Sequence, residues 1–154
     1  MDRENLLETG KLFFKNCEFD SAEYYFSGSL EVSETAECYF YLGMIDNMRK
    51  RTEKALYYFY KALEIEPDYG NASNEIGVIL LRSGREKDSL FWFKKSLKSR
   101  INDAIHIPLF NLAMIYKQWN RPERSLQYLY RALEAKPDFE EAIKMRNTLI
   151  ASQN

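Results

Sequence analysis

Two residue types central to catalysis and metal binding are scarce: there is one histidine, His106, and there are two cysteines, Cys17 and Cys38, in 154 residues. Nucleophilic catalysis needs a nucleophile, a base and an orienting group brought together, and the motifs that announce such a set have fixed spacings. No Ser, Cys or acid stands at such a spacing from His106, and no P-loop, GxSxG, HExxH or paired-carboxylate arrangement occurs. The cysteines form no CxxC and join no His/Cys cluster, which speaks against both a zinc site and a disulfide framework. The sequence therefore predicts no enzyme, no metal and no cofactor. Binding chemistry remains, and the aromatic runs Tyr24-Tyr25-Phe26, Tyr57-Tyr58-Phe59-Tyr60 and Phe91-Trp92-Phe93 offer rings that either stack on a ligand or fill a core.

The bulk properties narrow the partner. A hydrophobic content of 45% suits a folded chain with a real core. Twenty-two basic residues against 23 acidic ones give a net charge of −1, which offers no overall field for nucleic acid or an anionic membrane. The beginning, MDRENLLETG, carries acids and no apolar core of a leader, and no window approaches the ~18 apolar residues of a membrane span. The expectation is a soluble, cytoplasmic protein without nucleic-acid binding or membrane insertion.

The aromatic runs recur on a fixed period. YFYKALEIEPDYG, from Tyr58, and YLYRALEAKPDFE, from Tyr128, place prolines at 67 and 137, and related phrases begin at Glu23 and Leu90. Small residues open the phrase at Ala22, Ala55, Ser89 and Ser125, and Phe26, Phe59, Phe93 and Leu129 follow four places later. A second small column is Ser29, Ala62, Ser96 and Ala132, and a third lies twelve residues before the first, at Gly10, Gly43, Gly77 and Ala113. Helices approach closely only where neither presents a bulky side chain, so a period near 34 with small residues at fixed offsets predicts four antiparallel helix pairs. The links KNCEFD, RKRTEK, RSGREK and NRPERS are short and polar, with Gly84 and Pro122 as turn formers. Pro67 and Pro137 end the helices before them, and Asp68 and Asp138 are expected to cap the next. A last amphipathic segment, DFEEAIKMRNTLIASQN, reads as a ninth, capping helix.

These columns resemble the tetratricopeptide repeat, whose pattern is W-x2-L-G-x2-Y, A-x3-F and a closing Pro. The second unit matches best, through Leu42-Gly43, Ala55, Phe59, Ala62 and Pro67, and the resemblance covers roughly residues 3 to 139. It departs at the Trp position, which is Leu6, Tyr39, Ser73 and Leu109 here, and in two extra residues around Asn102 to Ile105. The resemblance implies an all-α, right-handed superhelical α-solenoid of about nine helices in a single domain over 1–154. Repeats would span 3–35, 36–69, 70–105 and 106–139, with the cap over 138–151.

In that family the first helix of each pair lines a concave groove. Carried over by distance from the Gly/Ala column, the partner-binding set is Lys11, Phe40, Tyr41, Met44, Asn74, Val78, Phe110, Asn111 and Met114, with Leu81, Arg82, Lys117 and Gln118 further along. Apolar members would bury a partner's side chains and the amides would satisfy its backbone. Leu7, Tyr41 and Asn71 stand where the branch that grips chaperone tails needs Lys, Asn and Lys, so that ligand is not expected. The family implies a non-enzymatic adaptor that binds a segment of another protein. The alternative is a self-assembling module that pairs with a second copy through its stack ends or convex aromatic face.

Overall fold

The computed structural model describes residues 2–153, and among them the chain is all-α, with nine helices and no strand. In chain order they are α1 (Arg3–Lys15), α2 (Phe19–Val32), α3 (Ala36–Met48), α4 (Thr52–Ile65), α5 (Gly70–Arg82), α6 (Glu86–Lys98), α7 (His106–Gln118), α8 (Pro122–Ala135) and α9 (Glu140–Ser152). Asp2 opens α1 by accepting from the Asn5 amide at 2.9 Å, and Thr35 opens α3 by accepting from the Cys38 amide at 3.2 Å. Proline at the first position of α8 costs that helix nothing, because the amide there has no intrahelical acceptor.

Each first helix is joined to its second by the same turn. Cys17, Lys50, Gly84 and Asn120 lie at φ of 61°, 60°, 75° and 54°, the left-handed region. Around each, two amides reach back: Cys17 to the Phe14 carbonyl and Glu18 to that of Phe13, Lys50 to Asn47 and Arg51 to Asp46, Gly84 to Leu81 and Arg85 to Leu80, Asn120 to Lys117 and Arg121 to Tyr116. This is the Schellman closure, which satisfies the last carbonyls of one helix and reverses the chain. Only the third turn uses glycine, the residue that enters this region without strain.

The turn brings the small columns against the rings. A Cβ placed on Gly10 would lie 2.7 Å from Phe26 Cε1; on Gly43, 2.6 Å from Phe59 Cε1; on Gly77, 2.7 Å from Phe93 Cε1. All three rings are fully buried. In the fourth pair the small residue is Ala113, one carbon larger, and the opposing residue is the smaller Leu129. The chain thus holds the combined volume of the pair nearly constant.

The chain forms two compact units, residues 1–72 and 73–154, the division falling within α5. In the first, Ala22, Phe26, Cys38, Leu42 and Ile45 form a core on which Leu7, Phe13, Phe14, Tyr41 and Tyr58 pack. Asp46 is buried beneath the α3–α4 turn, with Arg51 at 3.5 Å and Lys54 at 3.6 Å, so its charge is paired. In the second unit, Phe93, Leu112 and Ile115 form one cluster, and Ala113, Leu129, Phe139, Ala142 and Leu149 form another that seats α9. The longer connection before α7 is tied down by Asn102, which donates to the Ser96 carbonyl at 3.0 Å and to the Ser96 hydroxyl at 2.9 Å. One expectation fails: Asp138 does not cap α9. Phe139 occupies the cap position without a side-chain bond, its ring buried in the core, because the turn after Pro137 spends Asp138 one residue too early.

Adding a methyl at Gly43 gains about 1 kcal/mol of helix propensity, but it overpacks the fully buried Phe59 ring, a cost of about 1–3 kcal/mol. Gly43→Ala is expected to lower stability in chemical denaturation, as is Phe59→Leu alone. The double variant recreates the Ala113–Leu129 pair, and its loss should fall short of the sum by about 1 kcal/mol or more. Additive losses would show that the two columns do not constrain each other.

Candidate functional site

The expected binding residues divide between the two units. In the first, Lys11 bridges Glu8 at 2.9 Å and Glu37 at 2.7 Å, linking α1 to α3. Burial works against its charge, but hydrogen bonds to Glu37 and Glu8 outweigh it and hold the ammonium more firmly protonated than usual. Tyr41 stacks on Phe26 at 5.0 Å and meets Phe14 edge-on at 5.2 Å. The Phe40 ring, half-buried, lies 5.5 Å from Tyr69 and 5.9 Å from Phe59. Met44 is half-buried. The two rings therefore spend much of their surface on each other and on the core, and Met44 is the adaptable apolar group of this set.

In the second unit Asn74 and Asn111 are buried and joined, the Asn111 amide donating to Asn74 Oδ1 at 3.3 Å. Asn74 in turn donates to Glu75 Oε1 at 3.2 Å. Burial raises the Glu75 carboxyl above its ordinary value, against the pull of the Asn74 hydrogen bond and of Arg82. Phe110 packs on Phe139 at 5.1 Å, and Val78 packs on the Phe93–Leu112–Ile115 cluster. His106, whose ring meets Phe139 edge-on at 5.1 Å, is held below its usual pKa by burial and by Lys136.

Met114 opens on a cleft of about 660 Å³, walled also by Leu81, Arg82, Glu86, Lys117, Gln118 and Met145. Its floor is two methionines and a leucine, and its rim carries two cations and an amide. The Trp119 indole N–H donates to Glu86, which fixes that acid at the edge. Leu81, Arg82, Lys117 and Gln118 stand at the expected groove offsets, while Met145, on α9, escapes sequence reasoning because only that helix's role as a cap was legible. The arrangement can hold an apolar side chain against soft thioethers and bond its backbone or an acidic neighbour at the rim.

Among the described residues no group of three or more His, Cys, Asp or Glu side chains converges as a metal site, and no helix is long and apolar enough to cross a membrane. The aromatic column Phe26, Phe59 and Phe93 is buried. The residues just before it also pack: Tyr25 stacks on Phe13 at 5.3 Å, Tyr58 on Tyr39 at 6.1 Å and Tyr128 on Tyr116 at 5.5 Å. Cys17 is exposed and Cys38 buried.

Helix pairs on a 33- to 36-residue period, nested through small residues, define a helical-repeat protein. The family model described as "Tetratricopeptide repeat" matches residues 108–139, and one described as "Est1 DNA/RNA binding domain" matches 55–105. A structure described as Pseudomonas aeruginosa pilF superposes with TM-score 0.88 at 14% identity, over 98% of this chain and 68% of that one. YrrB, described as "a TPR protein with an unusual peptide-binding site", superposes with TM-score 0.68 at 18% identity, over 90% of this chain and 71% of its own. The chain is 27% identical over 94% of its length to Protein O-mannosyl-transferase TMTC3 of Mus musculus. It spans less than a fifth of the length of the curated relatives it matches, 17% in that case. Residues 108–139 match the tetratricopeptide repeat, and the chain as a whole has the all-α repeat fold of the structures it superposes on.

Because its folded-state pKa is raised, Glu75 contributes most to stability below its unfolded value of 4.5, and that contribution is lost as pH rises through the folded value. Glu75→Gln, which keeps the acceptor for Asn74, is expected to raise the thermal midpoint at pH 7 and to leave it unchanged near pH 4. A gain of equal size at both pH values would show that burial of the charge is not the cause.

Proposed function

We propose that the chain is a non-enzymatic adaptor that binds a segment of another protein along its first helices. The observation that carries this reading is the cleft under Met114, where an apolar floor and a hydrogen-bonding rim lie together at positions the repeat assigns to ligand contact. A methionine-lined site adapts to side chains of different shape, which suits an anchor residue in an extended segment. Met44 supplies a like surface on the first unit. The peptide-binding site named for YrrB supports the same use of this fold. Tyr41 ties α3 to α1 through Phe14, the Asn74–Asn111 pair ties α5 to α7, and Lys11 ties α1 to α3 through Glu37, while Phe40 and Phe110 spend their rings on Tyr69 and Phe139.

Protein is favoured over nucleic acid as the groove ligand. Residues 55–105, which match the Est1 domain, carry eight basic and seven acidic side chains, too even a balance to hold a phosphate backbone by charge alone. A transferase role is not carried over from TMTC3, since the match covers a small part of that protein and no catalytic constellation accompanies it here.

Selection of a phage-displayed random peptide library on the intact chain tests the reading. Recovered peptides should share an apolar anchor. Their binding should fall about tenfold or more in Met114→Glu, which removes about 1.4 kcal/mol or more, while circular dichroism stays unchanged. Recovery of no peptide, or binding indifferent to Met114→Glu and Met44→Glu alike, overturns the reading.

A further inference from the structure

The outer face of the repeat carries a pattern of its own. Two places after the first small residue of the second helices stand Tyr24, Tyr57 and Phe91, which are 74%, 56% and 61% exposed. Each belongs to a stripe of four residues spaced four, three and four apart, hence on one helix face. The stripes read Asp20-Tyr24-Ser27-Glu31 on α2, Glu53-Tyr57-Tyr60-Glu64 on α4, Lys87-Phe91-Lys94-Lys98 on α6 and Glu123-Gln127-Tyr130-Glu134 on α8, and all sixteen residues are exposed. Three stripes are acidic at both ends; α6 is basic at both ends and in between.

Helix electrostatics do not account for the difference. The macrodipole favours acids in the first turn and bases in the last, yet Lys87 lies in the first turn of α6 and Glu64 in the last of α4. The charge divides likewise along the chain: residues 1–72 hold 14 acidic and eight basic side chains, residues 73–154 nine acidic and 14 basic. The net charge of −1 conceals this.

We propose that the α6 stripe docks on the α4 stripe of a second copy of the chain. Laid parallel, the stripes set Lys87 against Glu53, Phe91 against Tyr57, Lys94 over Tyr60 and Lys98 against Glu64. Laid antiparallel, they set Lys87 against Glu64, Phe91 against Tyr60, Lys94 over Tyr57 and Lys98 against Glu53. Either direction joins two opposite charges, one ring pair and one lysine over a tyrosine face. Glu64 already lies 2.8 Å from Lys61, but an exposed pair of this kind is worth little and exchanges readily. α2 and α8 offer one ring each, so α4 is the better match. The contact joins unlike patches, so each copy can engage two others.

Sedimentation velocity on the intact chain tests this. At about 50 mM NaCl the mass should rise with concentration above the monomer's 18.3 kDa, and at about 500 mM it should return there as screening weakens the pairs. Lys87→Glu/Lys98→Glu and Glu53→Lys/Glu64→Lys should each sediment as monomers, and an equimolar mixture of the two should associate again. Phe91→Ala should weaken association about tenfold. A wild-type chain monomeric throughout, or a mixture that stays monomeric, overturns the proposal. So does a monomeric wild type that binds a fluorescein-labelled oligo-dT strand while Lys87→Glu/Lys98→Glu does not, since the stripe would then serve nucleic acid.

Discussion

The fold rests on one contact made four times: a ring or leucine on the second helix occupying the place where a side chain on the first would stand. Three of the contacts pair glycine with phenylalanine and the fourth pairs alanine with leucine. Because the helices touch at that point, every other residue has its place set by distance along the helix from it. The flanking columns close the hairpin, the rings beside them stack, and the first-helix residues three before and one after lie to one side of the contact, where Phe40 still reaches Phe59 and Val78 still packs on the Phe93 cluster. Volume at the contact is therefore the quantity the sequence conserves internally, more than the identity of either residue.

That is why the architecture could be read from spacing. Small residues at a repeating offset have few explanations besides close helix packing, and the four hairpins follow from it, while the ninth helix was legible from its own amphipathic pattern. Side-chain partnerships were less legible. Asn74 and Asn111 are 37 residues apart and were expected to offer amides to a ligand; that they are buried against each other depends on the separation of α5 and α7, which no periodicity reports. Asp138 looked like a cap because its carboxylate would suit the free amides of the next helix start, but the turn consumed an extra residue and gave the position to Phe139. Met145 lies outside the repeat, so no column pointed to it.

The two faces of the repeat differ in the work their aromatic residues do. On the first helices Phe40, Tyr41 and Phe110 are braced against Tyr69, Phe26 and Phe139, while Met44 and Met114 stay half-buried. On the second helices Tyr24, Tyr57, Tyr60, Phe91 and Tyr130 stand out into water on stripes that begin and end in charged residues. A flexible apolar recess suits a variable peptide; a fixed alternation of charge and ring suits one defined surface.

The turns carry a consequence for how the chain is made. Each closes through amides that reach carbonyls three and five residues earlier, so the reversal is complete without any contribution from distant sequence. Bringing the two helices together then spends little loop-closure entropy, and the interlocking residues lie only 16 apart, as from Gly10 to Phe26. A growing polypeptide can therefore seal one pair while the next is still being synthesised, and the order of assembly can follow the order of translation.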